Sequence, residues 1–599
     1  MMETYRKLYY LLTASERRQA FWVFVLMLAV AFFETVGVAS IMPLVSVMSD
    51  PSSVENNAIL RELYQRSGAE DVDAFVVILG FGFLLVLFTS LGFKAVSQWA
   101  QIRFTKMRVY AVGYRLTERY LAQPYSWFLV RHTSRLTTTI LSEVNKVISG
   151  SLFPAMQLIA HGVVALFLLA FLIFIEPILA ISAAIALGGA YGLIYGLFRV
   201  PLSRFGRWRQ SANLQRFKVT QETFGGIKDV KVRGIEHLMV ERFNKPSFDT
   251  AHQEIRIDII KQIPGFFMQA FVFGGIVAIM LYLRGVHGSM LGALPIVATF
   301  AFAGYRLMPA LQSIYKQLTS LRSMGPALDL LIEDLHNLDP IVDHTALNEV
   351  ERMAPSREGI RLEGVYFRYP GAETCALKDL HIEIPPNKQV ALVGATGSGK
   401  STTVDLILGL LQPEKGQITV DGTPINASNV RSWQRAIGYV PQDIFLSDDT
   451  IAGNIAFGLP DKQIDHEAVV KAAKVANLHE FVVNELPESY QTHVGERGTR
   501  LSGGQKQRIG IARALYHDPD VIVMDEATSA LDNTTERAIM EAVNNLAGQK
   551  TIIMIAHRLS TVRQSDIIYF LESGEVVAKG SYEELLEDSS DFRAMAGAG

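Results

Sequence analysis

Residues Gly394 to Ser401 read "GATGSGKS", a full match to G-x-x-x-x-G-K-[ST] lying between the apolar run "QVALV" and the helix-like "TTVDLILGLL". In that context the pattern is a phosphate-binding loop. Backbone N–H groups of Gly394, Ala395, Thr396, Gly397, Ser398 and Gly399 can face a polyphosphate at a helix N-terminus, with Thr402 just inside the helix. Lys400 is suited to neutralise β and γ oxygens, and Ser401 to ligate magnesium. Further on, "VIVMDEATSALD" is an apolar run that ends in Asp525 and Glu526. By itself such a run is more often a plain strand end. Behind a phosphate loop, Asp525 is placed for magnesium and Glu526 to polarise an attacking water. A second glycine-rich stretch, "LSGGQKQR" from Leu501 to Arg508, stands about a hundred positions past the first. One nucleotide site does not need two such loops.

The elements that must position these residues are legible too. "IRLEGVYFRY" and "LHIEIPP" alternate apolar and polar residues as strands do, and "DVIVMDEAT" and "TIIMIAHR" begin as short apolar strands of a buried parallel sheet. Residues 358–599 are therefore expected to form an α/β ATPase domain, and 326–357 a linker. Ahead of them, residues 1–325 hold six apolar runs near 20–48, 73–97, 147–175, 178–198, 263–283 and 290–314. A hydrocarbon core of about 30 Å needs roughly 20 such residues, so the first part is expected to be an all-α membrane domain. Lys and Arg crowd the loops from Arg103 to Lys146 and from Arg204 to Lys261, while the opposite side has Arg61, Arg66 and Arg284. By the positive-inside rule both termini and the ATPase domain are cytoplasmic, and the helices are expected to continue well past the bilayer. The polar, basic first twenty residues read as a short amphipathic lead-in lying along the membrane surface rather than a cleaved signal.

Composition agrees with a membrane portion joined to a soluble one: 599 residues, 49% hydrophobic and 19% charged. The net charge of -3 offers no basic excess for nucleic acid, and the single cysteine, Cys375, excludes an intramolecular disulfide and a zinc cluster.

In the order of its motifs the chain resembles the ABC transporters, over essentially its whole length. Walker A is Gly394–Ser401, Walker B is Val521–Asp525 followed by Glu526, and "LSGGQ" matches the family signature. Gln442 in "YVPQD" matches the Q-loop, "SALD" (Ser529–Asp532) the D-loop, His557 the switch histidine, and Tyr369 the aromatic that stacks on adenine. "THVGERG", Thr492 to Gly498, looks like the exporter-specific X-loop. The resemblance implies a six-helix transmembrane domain of the type IV exporter fold followed by a P-loop ATPase, with ATP and Mg2+ as cofactors. Glu526, His557, Lys400 and Gln442 would be catalytic, and Ser401, Gln442 and Asp525 would hold the metal. It also answers the puzzle of the second loop. In this family Ser502, Gly503, Gly504 and Gln505 contact ATP held by the partner's Walker A. Six spans and one ATPase domain make half a transporter, and the intact motifs favour a homodimer. ATP binding and hydrolysis would drive alternating access in a bacterial plasma (inner) membrane, with Arg119–Leu136 and Phe224–Gly234 suited to coupling.

The cargo is written less clearly. Glu34 sits near the middle of the first span, and Arg306 about fifteen residues into the sixth, on the order of 22 Å from its outer end. They form either a structural ion pair or part of a polar cavity in which Arg306, with Lys261 or Arg256 near the inner mouth, receives an anionic headgroup. "FETVGVASIMPLVSV" and "YRLMP" resemble flippases of polyprenyl-pyrophosphate-linked oligosaccharides. Those proteins carry a short external helix after the first span, for which "NNAILRELYQRSG" is the candidate. The alternatives are a multidrug or lipid A exporter, or a peptide exporter.

Overall fold

The computed structural model describes residues 2–287, 290–336, 338, 351–353, 357–526, 533–544, 546–556 and 559–597. It divides into two compact units, one of residues 1–123 and 131–341, the other of Pro124–Val130 and Val342–Gly599.

The first unit is helical. Helix α1 (Met2–Leu11) leads into α2 (Ala14–Ala39), whose start is fixed by a capping box between Thr13 and Glu16. The lead-in is more than a surface helix, because Leu8, Leu11 and Leu12 are buried within the unit. The first predicted span does not run straight. It breaks at Ser40 and resumes as Ile41–Ser49, because Pro43 lacks the N–H that would bond the Ala39 carbonyl. Helix α3 (Val72–Leu121) follows, capped by the Asp71 carboxylate, which accepts the Ala74 N–H at 2.7 Å.

At 50 residues α3 is ~75 Å long, more than twice a bilayer's hydrocarbon thickness. The same holds for α5 (Pro177–Gly225), α6 (Glu236–His287) and α7 (Met290–His336). Between them, α4 (Phe153–Ile175) turns tightly into α5 at Glu176, with Pro177 at the first helical position. By length and composition, four helical runs among the described residues can cross a membrane: Ala14–Ser49, Val72–Leu121, Arg135–Ile175 and Pro177–Gly225. The fifth and sixth predicted spans fall within α6 and α7. Helix α7 reaches His336, so residues 326–336 of the expected linker are helix.

These helices pack through small residues and aliphatic side chains, with Ala31 and Val38 of α2 against Leu168 and Leu172 of α4 and Ala303 and Ala310 of α7. At Gly206 of α5 the approach is closest: a Cβ there would lie 2.1 Å from the Ser323 carbonyl of α7. The expected external helix is Ala58–Ser67. Leu60 is buried with Val47, Val54 and Phe75, and Tyr64 packs against them, whereas Ile59 and Leu63 stay exposed.

The second unit holds two sheets. Strands β1 (Ile360–Phe367), β2 (Leu377–Ile384), β4 (Lys415–Val420) and β5 (Thr423–Pro424) form an antiparallel sheet ordered β2-β1-β4-β5. The other contains β3 (Gln389–Val393), β6 (Ile437–Val440), β7 (Val521–Asp525), β8 (Thr551–Ile555), β9 (Ile567–Glu572) and β10 (Glu575–Gly580), ordered β10-β9-β3-β8-β7-β6. From β9 to β6 neighbouring strands are parallel. Every residue of β3, β7 and β8 is buried, which is why these segments read as unbroken apolar runs. Helix α8 (Lys400–Ile407) leaves β3 through the glycine-rich loop, and α9 (Gly503–Leu515) follows the second one.

Candidate functional site

The loop Gly394–Ser401 is built as its sequence requires. Gly394, Gly397 and Gly399 have φ of 149°, 83° and 102°. A Cβ on Gly394 would lie 2.2 Å from the Leu571 carbonyl, and one on Gly399 would strike Leu377 at 2.6 Å. Glycine is therefore required for both conformation and space. Lys400 is buried and donates to the carbonyls of Gly394 and Ala395 at 2.9 Å each. Burial pushes its ammonium pKa down, and the nearby Glu526 and Asp525 carboxylates oppose that shift. Thr402, also buried, shares a 2.9 Å hydrogen bond with the Tyr369 hydroxyl. Tyr369 itself packs edge-on to Phe367, 5.0 Å between ring centres, so the expected adenine-stacking ring is held next to the loop.

The carboxylates come from β7. Its last residue, Asp525, is buried, and Glu526 turns off the strand with φ of 47°, an uncommon conformation for a non-glycine residue. That turn directs the Glu526 carboxylate to Gln442, whose amide donates to Oε2 at 2.8 Å. Gln442 and Glu526 are 84 residues apart in the chain, and the parallel pairing of β6 with β7 brings them together. Ser401, the second residue of α8, is exposed. Asp405, one turn on, was not anticipated: burial, with the Asp525 charge adding to it, raises its carboxyl pKa to about 6. No sequence signal marks it, because the acid sits inside an ordinary helical repeat.

In the second glycine-rich loop, Ser502 caps α9. Its hydroxyl accepts the Gln505 N–H at 3.3 Å, and the Gln505 side chain accepts the Ser502 N–H at 2.8 Å. Gly503 and Gly504 open the helix. Ser502, Gly503 and Gly504 thus form an N-terminus shaped for an anion. His557 and the Ser529–Asp532 segment lie outside the described residues.

Within the helical unit, Glu34 and Arg306 do meet, with Arg306 Nη1 3.7 Å from Glu34 Oε1. The sequence reading missed the stronger partner: Lys94 of α3 donates to the same Oε1 at 2.7 Å. The Glu34 side chain is 6% exposed. Lys94 was legible as a lone cation inside the second predicted span; its pairing was not. A cavity of about 190 Å³ beside them is lined by Glu34, Lys94, Gln98, Gln101 and His161, among others. Lys261 does not join this group. It pairs with Asp258 at 3.0 Å and lines a separate cavity of about 400 Å³ with Gln269, Gln312 and Lys316. Arg256 lies over the Phe205 ring, 5.4 Å from its centre.

Known proteins agree with these two halves. Residues 20–309 match the family described as ABC transporter transmembrane region, and residues 377–529 the family described as ABC transporter. An ATP-dependent lipid A-core flippase of Saccharophagus degradans is 34% identical over 78% of each chain. One of Alkalilimnicola ehrlichii is 30% identical over 80% of each. The solved structure of a bacterial Atm1-family ABC exporter with ATP bound superposes with a TM-score of 0.79 over 98% of this chain and 99% of its own. At 23% identity that last likeness speaks for the fold. With a transmembrane region of the type IV exporter fold ahead of an ATP-binding domain that hydrolyses ATP to drive transport, the chain belongs to the ABC transporters, as an exporter half-transporter.

Proposed function

We propose that this chain, as a homodimer in a bacterial inner membrane with both termini cytoplasmic, flips a phosphate-bearing glycolipid of the lipid A type by alternating access. The relatives named as lipid A-core flippases favour this alternative over the polyprenyl-pyrophosphate-linked oligosaccharide that the short span motifs suggested. The observation carrying the cargo class is the buried Glu34 with its two cations, the largely buried Arg306 and the half-exposed Lys94. Charges at that depth are costly and mark a route for a polar or ionic group. Arg306 is the candidate phosphate contact; Lys261, in its own cavity, is a candidate second contact.

In the ATPase domain, Glu526 is the general base on the attacking water, oriented through its Gln442 hydrogen bond. Lys400 and His557 stabilise charge on the γ-phosphate. Tyr369 stacks on adenine, while Gly394–Ser401 and Thr402 cradle the phosphates. Ser401, Gln442 and the buried Asp525 form an all-oxygen donor set that suits Mg2+, which would neutralise the phosphate oxygens. Ser502, Gly503, Gly504 and Gln505 serve the partner's ATP. Flipping assays in proteoliposomes, with fluorescent lipid A beside a fluorescent polyprenyl-pyrophosphate oligosaccharide, test the reading. ATP-dependent movement of lipid A is expected, absent in Glu526→Gln and weakened in Arg306→Ala. Movement of the oligosaccharide alone would restore the other cargo.

A further inference from the structure

Glu34 holds its two cations unequally. Lys94 donates to Oε1 at 2.7 Å, whereas Arg306 stands 3.7 Å from the same oxygen through Nη1 only. The Arg306 side chain is 15% exposed, yet its buried Nε donates to no partner among the described residues. The guanidinium carbon lies 5.8 Å from the centre of the Phe302 ring, which supplies no acceptor oxygen. Around the group, α3 contributes Lys94 and Gln98, and α4 contributes His161 and Gln157, all lining the same cavity. Arg306 is thus a largely buried cation with one loose ion pair and an unfilled donor, an arrangement that is costly unless something else completes it.

We propose that Glu34 is a placeholder for the cargo's phosphate: it keeps Arg306 compensated between transport events and surrenders it when a phosphate-bearing headgroup arrives. Lys94 makes the exchange affordable. Removing Arg306 from a buried carboxylate would ordinarily leave an unpaired charge, but the tighter Lys94 contact stays in place. A phosphate offers Arg306 what Glu34 does not, two oxygens for a fork of donors including Nε. Headgroups without an anionic oxygen cannot displace the carboxylate, so the competition selects for phosphate. Glu34 acts through Arg306 and is a positioning residue. This inference rests on the cargo reading above.

The two neighbours of Arg306 are then expected to shift phosphate affinity in opposite directions. Glu34→Gln removes the competitor. Lys94→Met leaves Glu34 dependent on Arg306 and strengthens the competitor. The full chain in nanodiscs is titrated with bisphosphorylated lipid A and with the same lipid stripped of its phosphates, reading the lipid concentration that half-maximally stimulates ATPase activity. Glu34→Gln is expected to lower that concentration about three- to tenfold for the phosphorylated lipid, about 0.7–1.4 kcal/mol, and to leave the stripped lipid unchanged. Lys94→Met is expected to raise it comparably. Glu34→Asp, which keeps the charge but shortens the reach, guards against a folding defect in Glu34→Gln and is expected to shift the value in the same direction by less. If both Glu34→Gln and Lys94→Met raise the value, the group is a structural ion pair and the placeholder role is overturned while the phosphate-lipid cargo stands. If the native chain does not distinguish the two lipids, the cargo reading fails and the placeholder with it.

Discussion

Among single residues, Glu526 shows how a motif and a backbone conformation divide the work. Its chain position after Asp525 was legible, but the φ of 47° that turns its carboxylate to Gln442 was not. In the Glu526→Gln variant we expect ATP turnover to fall roughly 10²- to 10⁴-fold while ATP still binds, measured as trapped nucleotide alongside phosphate release. Asp405 carries a pH signature. Its carboxyl is raised to about 6 in the folded chain, against an unfolded value near 4. The folded state therefore holds the proton more tightly, and stability is lost as pH rises from about 4 through 6. Partial solvent screening reduces the size of the effect. Asp405→Asn is expected to raise the melting temperature of the ATPase domain at pH 7.5 and to leave it unchanged near pH 4, with chelator present and nucleotide absent. A gain of equal size at both pH values would refute the electrostatic origin.

At the scale of elements, a close approach of helix to strand positions the second glycine-rich loop. Gly438 of β6 lies under α9, and a Cβ there would stand 2.4 Å from the Ala514 carbonyl. Even Gly438→Ala must lift α9, at a cost of about 1–3 kcal/mol, and with it the Ser502 cap at the other end of the helix. We expect a lower melting temperature and weaker ATPase activity together, a pairing that Ser502→Ala, costing ~1 kcal/mol through the lost cap, would reproduce in milder form. Element types were largely legible in the sequence, because strands buried on both faces and bilayer-length helices leave long apolar runs. Interruptions were harder to place. The break at Ser40 falls inside a largely apolar run, and Pro43 marks it.

For the whole molecule, each chain brings one phosphate loop and one signature loop, and the family resemblance assigns these to different composite sites. Mixing two defective chains tests that assignment. A Lys400→Met chain has a damaged phosphate loop and an intact signature, and a Ser502→Arg chain has the reverse. Each alone is expected to be inactive as an ATPase. Co-reconstituted, they are expected to recover activity, because the mixed dimer holds one site with both parts intact. No recovery on mixing would mean that the two loops serve a site within one chain, or that one intact site is insufficient.

By itself, the sequence determined the phosphate loop, the strand ending in Asp525 and Glu526, the order of the ATPase motifs and the helices of the membrane half. Each is a local property: eight consecutive residues shape a phosphate cradle through their own backbone, and a span needs only an apolar stretch of sufficient length. The tertiary structure decided what depends on packing between distant segments. Glu34 and Lys94 are 60 residues apart, and only the alignment of α2 with α3 makes them partners. Lys261, as plausible by type and depth, belongs to another cavity. The shift at Asp405 has the same origin, since both its burial and its proximity to Asp525 exist only once the strand and helix are assembled. Residue type announces a charge, and the packed helices and sheets decide what it faces.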